Sequence, residues 1–146
     1  MKLMIKRIDP SLPLPEYKTP GSVAFDVGSR EDAVVPPRGI KLVPANLIIC
    51  TPPGYMTMAA PRSSLPIKKG LTLANSVGIL DQDHCGPDDE LYLELLNLTD
   101  APVEVKRGER LAQVIVVKIE KVDFEEAEKI EFPNRGDMGS TGGYST

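Results

Sequence analysis

Apolar residues along the chain fall in short runs separated by turn formers. The runs occupy residues 3–8, 23–27, 40–50, 55–60, 91–98, 103–105 and 111–122. Several are β-branched or alternate with period two, as half-buried strands do. In LYLELLNL, Leu91, Leu93 and Leu95 share one face, while Tyr92, Glu94 and Leu96 share the other. LAQVIVVKIEKV is the longest strand-like run. The 12 glycines and 14 prolines are spread through the chain, and turn signals recur at fairly even intervals. That spacing predicts an all-β sandwich or barrel. Helix signals are confined to a single turn near residues 63–68 and an acidic piece at 124–129. The tail, FPNRGDMGSTGGYST, is nearly devoid of apolar residues and is expected to be mobile on its own.

Composition narrows the function classes. A chain of 146 residues with 41% hydrophobic content fits one globular domain with a real core. Aromatic residues make up 5% and Trp is absent, so Val, Ile and Leu must build that core. A formal charge of −4 argues against a nucleic-acid polymer as partner, because such sites need a broad basic surface. A nucleotide needs only a few local cations. Cys50 and Cys85 form no close pair and no CxxC. They read as buried or half-buried thiols in a reducing compartment, not as a disulfide or metal framework. MKLMIKRIDP is too poor in apolar residues for a signal peptide, and no run approaches the ~20 residues of a membrane span. The expectation is a soluble cytoplasmic protein with no membrane partner.

The chemistry concentrates between residues 61 and 86, in PRSSLPIKKG and LTLANSVGILDQDHCG. Arg62 is a bidentate donor suited to phosphate, with the hydroxyl donors Ser63 and Ser64 beside it. Lys68 and Lys69 read as solvated lysines adding to the local positive field. Asp81 follows an apolar run and can serve as a general base toward a poised water. Taken alone it is also a common turn residue. Asn75 offers the donor and acceptor that a pyrimidine edge requires, and is equally a turn former. A phosphate clamp near a carboxylate suggests a site that cuts a phosphoanhydride.

Pro-Arg-Ser-Ser-Leu followed by Gly-Ile-Leu-Asp-x-Asp resembles the second and third motifs of the trimeric deoxyuridine triphosphatases (dUTPases). Other blocks of that family follow in order: GSVAFDVGS at 21–29, RGERLAQ at 107–113, and Arg135-Gly136 with Gly139-Ser140-Thr141-Gly142. The resemblance spans about residues 20–142. It implies a jelly-roll-like distorted β-barrel over residues 1–132 and a flexible glycine-rich tail over 133–146. It also implies a homotrimer with active sites at subunit interfaces, and hydrolysis of dUTP to dUMP and pyrophosphate. Asp81 would orient the water that attacks the α-phosphorus. Arg62, Ser63, Ser64 and Gln113 would hold the phosphates. Asn75 and the hairpin backbone through Gly78 and Ile79 would form the uracil pocket. Asp26 would lie near Mg2+ through water; a single His and no thiolate cluster argue against zinc. Arg135, Gly139, Ser140 and Thr141 would wrap the phosphates as a closing tail.

The chain departs from this pattern in three places. His84 stands where the family has a tyrosine against the deoxyribose. Met138 aligns with the aromatic that stacks on uracil, with Tyr144 as the alternative source of a ring. The segment between Gly86 and Asn97 is about three residues longer than usual. That length brings Glu94 to the position of the catalytic glutamate of the related dCTP deaminases, but Ile67 replaces their second arginine. The alternatives are therefore a dCTP deaminase, alone or bifunctional, and a non-catalytic nucleotide-binding module.

Overall fold

A computed structural model describes residues 1–136. The expected all-β class is observed, with one short helix. In chain order the strands are β1 (Met4–Arg7), β2 (Phe25–Gly28), β3 (Ala33–Val35), β4 (Ile40–Pro44), β5 (Leu47–Cys50) and β6 (Tyr55–Pro61). Helix α1 (Leu65–Lys69) precedes β7 (Leu71–Leu73), β8 (Gly78–Leu80), β9 (Tyr92–Asn97), β10 (Val103–Val105) and β11 (Arg110–Lys118). The strands form a four-stranded sheet β2-β11-β6-β8, a three-stranded sheet β4-β9-β7, and the pairs β1-β5 and β10-β3. Every pairing is antiparallel. Among the described residues these sheets do not close into a continuous barrel, so closure is the part of the expectation that is corrected.

The core lies between the sheets and is aliphatic, as the scarcity of aromatics requires. Val35, Val43, Ile49, Leu71, Leu95, Val105, Leu111 and Val114 are fully buried. Leu91, Leu93 and Leu95 point inward as their alternation predicts, and Tyr92 is half exposed. Asn97 is buried with its amide fully used. Its Nδ2 donates to the Val35 and Ala101 carbonyls at 3.1 and 2.8 Å, and its Oδ1 accepts from the Thr99 N–H and hydroxyl. A buried polar group placed this way costs little, because nothing is left unpaired.

Several expectations need correction. The run 40–50 is two strands, because Asn46 adopts a left-handed conformation (φ 67°) between them. Its side chain holds that turn, with Oδ1 accepting from the Asp9 N–H at 2.6 Å and Nδ2 donating to the Asp9 carbonyl at 3.0 Å. The segment carrying Asn75 is not a hairpin. β7 pairs with β9, whereas β8 pairs with β6, so residues 74–77 carry the chain from one sheet to another. The acidic piece 124–129 forms no helix. From residue 120 to 136 the chain is exposed and without regular structure, leaving no surface on which an apolar stripe could be stabilised. The helical turn near 63–68 does form, as α1. Pro66 sits in its first turn, and Gly70 ends it in a left-handed conformation (φ 65°). A Cβ on Gly70 would meet the Thr99 methyl at 2.3 Å.

The cysteines also differ from expectation. Cys50 and Cys85 form a disulfide, with Cα atoms 5.0 Å apart. Their sequence separation is 35 residues, so no local spacing reveals the pair. No helix among the described residues is long and apolar enough to cross a membrane.

Candidate active site

The four-stranded sheet carries a charged cluster at one end. Asp26 lies on β2, and Gln113 on β11 is its ladder partner. Gln113 pairs on its other side with Ala60 of β6. Arg62 follows β6 directly, and its backbone N–H donates to the Leu111 carbonyl at 3.3 Å. Arg62 Nε approaches Asp26 Oδ1 at 3.2 Å, and Arg110 Nη1 donates to Asp26 Oδ2 at 2.9 Å. Gln113 Nε2 donates to the Pro61 carbonyl at 3.1 Å. One largely buried carboxylate thus holds two guanidinium groups side by side. Each guanidinium keeps N–H donors free of that carboxylate, which is what a polyanion needs.

The backbone explains why these residues meet. A β-bulge between Arg110 and Ala112 shifts the β11–β2 register, placing Arg110 opposite Gly28 and diagonal to Asp26. Gly28 allows the close approach: a Cβ there would stand 2.6 Å from the Glu109 carbonyl oxygen. Behind the cluster, Lys69 Nζ donates to both carboxylate oxygens of Glu109 at 2.7 and 2.8 Å and to the Glu104 carbonyl at 2.6 Å. Lys69 is therefore a half-buried brace and not the solvated lysine expected. Burial pushes the Glu109 pKa up, but the Lys69 hydrogen bond, the Lys106 N–H and the Lys69 charge outweigh it and hold the carboxyl below the ordinary glutamate range. Ser63 is exposed, and Ser64 caps α1 through its carbonyl, which accepts from the Lys68 N–H at 2.9 Å.

β8 forms the edge of the same sheet, so one row of its N–H and C=O groups has no ladder partner among the described residues. Gly78 and Ile79 lie on this edge, with Ile79 62% exposed. Asn75 sits in the exposed turn just before it. The Val77 N–H donates to the Asn75 carbonyl at 2.7 Å, leaving the side-chain amide near Gly78. Asp81 follows β8 on an exposed loop. It lines a cleft of about 320 Å3 with Tyr55, Met56, Gln82, Asp83 and Lys121. Gln82 Nε2 donates to the Tyr55 carbonyl at 2.9 Å. His84 is about half exposed, with Nδ1 3.9 Å from Asp89 Oδ1.

A family model described as dUTPase matches residues 11–143. The deoxyuridine 5'-triphosphate nucleotidohydrolase of Dictyoglomus turgidum is 37% identical over 148 residues, covering 97% of this chain and 99% of the relative. The chain belongs to the dUTPase family. Among solved structures, a Staphylococcus bacteriophage 80alpha dUTPase with dUPNHPP matches with a TM-score of 0.85 at 19% identity, covering 97% of this chain and 98% of that one. A mutant dUTPase from phage phi11 of S. aureus, with a structural Mg(II) ion, matches with a TM-score of 0.80 at 18% identity, covering 90% and 100%. At such identities the likeness shows a shared fold.

Within this dUTPase-family chain, Asp26, Arg62 and Gln113 come together, but Asp81 does not join them. Leu80 pairs with Thr57, so Asp81 lies at the level of Met56, six residues along β6 from Arg62. At ~3.3 Å per residue that is about 20 Å. Neither Asp26 nor Arg62 lines the Asp81 cleft. Arg135 is described and exposed; Met138, Gly139, Ser140, Thr141 and the alternative Tyr144 lie outside the described residues. Sequence reasoning missed Arg110, which the bulge aims at Asp26, and Gln82, which fastens the Asp81 loop. RGERLAQ contains Arg110, but no local pattern announces a bulge. Glu94 sits in β9 opposite Leu42, and its carbonyl accepts from the Ala74 N–H at 2.8 Å, beside the turn that carries Asn75.

Proposed function

We propose that the chain is a dUTP diphosphatase that cleaves the bond between the α- and β-phosphates of dUTP, giving dUMP and pyrophosphate. The observation that carries this reading is the Arg62–Asp26–Arg110 cluster beside Gln113, on the same sheet as β8, which leads into Asp81, in a chain of the dUTPase family. The triphosphate is held by the free guanidinium donors of Arg62 and Arg110, with Ser63, Ser64 and Gln113 nearby. These donors stabilise the charge that builds on the leaving pyrophosphate. Asp81 accepts a proton from the attacking water as its oxygen bonds to the α-phosphorus. Asn75 and the free edge of β8 at Gly78 and Ile79 read the uracil. His84 packs against the sugar.

The described residues contain no group of three or more His, Cys, Asp and Glu placed to hold a metal. Asp26, whose two oxygens already face Arg62 and Arg110, would meet a Mg2+ ion only through the waters that such an ion keeps. Such an ion supplies charge neutralisation on the phosphate oxygens.

The separation of Asp81 from Arg62 within one subunit supports active sites completed between copies, in a homotrimer. A second support is the exposed arm after β11, where Phe124, Ile130 and Phe132 are 98%, 71% and 86% exposed. Apolar side chains displayed in this way fit a surface on another copy. Residues 133–146 are proposed as the tail domain that closes over the phosphates through Arg135, Gly139, Ser140 and Thr141, with Met138 over the base. A nucleotide substrate accords with a cytoplasmic location.

The test is pyrophosphate release from dUTP, UTP, dCTP and dTTP with Mg2+. Release from dUTP far above the other three supports the reading. Equal release from UTP removes the sugar role of His84, and ammonia from dCTP shows a deaminase. A monomeric mass for the active protein overturns the shared-site assignment.

A further inference from the structure

The loop that carries Asp81 has no apolar anchor. From Asp81 to Asp89 every residue is exposed or half-buried, and Glu90 is the first buried one. Polar and covalent ties hold it instead. Gln82 reaches the Tyr55 carbonyl on β6, and the Gly86 N–H donates to Asp89 Oδ2 at 2.5 Å. The covalent tie is the Cys50–Cys85 bridge. Cys50 ends β5, which pairs with β1, so the bridge fastens the loop to a different sheet from the one that Gln82 reaches. Asp81 therefore lies on a segment clamped between two sheets, with the bridge four residues from its carboxylate. Loops without buried contacts open easily, so removing the covalent tie frees this one selectively. Both cysteines are half-buried, within reach of thiol exchange. A bridge in a protein acting on cytoplasmic nucleotides belongs to the transient or redox-sensing kind.

We propose that Cys50 and Cys85 are a redox-dependent positioning pair for Asp81. The proposal rests on Asp81 being the base of dUTP hydrolysis. Bridged, the pair holds the loop so that the Asp81 carboxylate meets the attacking water. An external dithiol breaks the S–S bond by exchange, delivering two electrons and two protons. Cys50 and Cys85 become thiols, and the dithiol closes to its own disulfide. The uracil-reading edge of β8 lies before the loop and keeps its pairing to β6, so reduction acts mainly on turnover, with a smaller effect on binding that enters through His84 on the freed loop.

The test uses the full chain, air-oxidised or treated with dithiothreitol, assayed for pyrophosphate release from dUTP with Mg2+ well below the melting temperature. Reduction is expected to lower kcat about ten-fold with a smaller rise in KM through His84, and reoxidation to restore both. Thiol titration is expected to find no free thiol before reduction and both after it. Cys50→Ser, Cys85→Ser and the double variant are expected to show the low kcat with or without dithiothreitol. If a variant fails to fold, the reduced wild type still decides. Equal kcat in the two redox states overturns the proposal, as do free thiols in the oxidised protein or redox sensitivity that survives in the double variant. A lowered melting temperature with unchanged kcat also overturns it, since that marks a purely structural staple. Absence of pyrophosphate in both states instead overturns the hydrolase reading.

Discussion

At the Arg62 end of the four-stranded sheet, Asp26, Arg62, Arg110 and Gln113 brace one another across β2, β11 and the end of β6. At the other end, Asp81 stands on an exposed loop whose ties are a single amide hydrogen bond, a turn and a disulfide. The contrast follows from the two tasks proposed for these ends. Guanidinium groups meant for a polyanion repel one another and must be fixed before it arrives, so the largely buried Asp26 carboxylate between them offsets the repulsion. A base must face water and change its protonation during each turnover. Substitutions at the first end should therefore spread into stability, while those at the second should stay confined to chemistry.

Asp81→Asn is the hardest blow to the exposed end. It keeps shape and loses the proton acceptor, so kcat is expected to fall about 10³-fold with an unchanged melting temperature. Undiminished turnover would remove Asp81 from the mechanism. At the braced end, Arg62→Ala is expected to lower kcat/KM about 10²-fold, with Arg62→Lys recovering only part, because an ammonium lacks the planar fork. Full recovery by lysine would show that charge alone matters there. Asp26→Asn tests the bracing itself. It leaves Arg62 and Arg110 without their shared counter-charge, and is expected to raise KM about ten-fold while lowering the melting temperature by a few degrees. An unchanged melting temperature would erase the difference between the two ends.

The smallest effect concerns the brace behind the cluster. The Glu109 carboxyl is held below the ordinary glutamate range, so its ion pair with Lys69 stabilises the fold above that range. The stabilisation is lost as pH falls through the lowered folded value. Glu109→Gln is expected to lower the melting temperature by a few degrees at neutral pH, with the gap to wild type closing below about pH 4. A gap that persists in acid would assign the effect to packing and not to charge.

Long alternating runs were legible in the sequence. Leu91, Leu93 and Leu95 face inward, and β9 lies within the predicted run 91–98. The three-residue strands β3, β7 and β8 are too short to show a period, and the Asn46 turn hides inside an apolar run. For the site, residue chemistry identified Arg62 and Asp81 as candidates, and motif order supplied Asp26 and Gln113. Only three-dimensional register brings Asp26, Gln113 and Arg62 to one end and leaves Asp81 at the other. The β11 bulge that aims Arg110 and the distant partner of Cys85 are set by pairings that no local window contains.

If the open edge of β8 reads the base as proposed, it bears on how base preference withstands mutation. Its donors and acceptors are main-chain groups, so they are present whichever side chains occupy residues 78–80. Genetic drift there can alter packing without rewriting the hydrogen-bonding pattern offered to a pyrimidine. Proline is the exception, since it deletes an N–H outright. On the proposed reading, base preference written in backbone is inherited with the fold, and a library of substitutions at Ile79 should relax it at proline before any other residue.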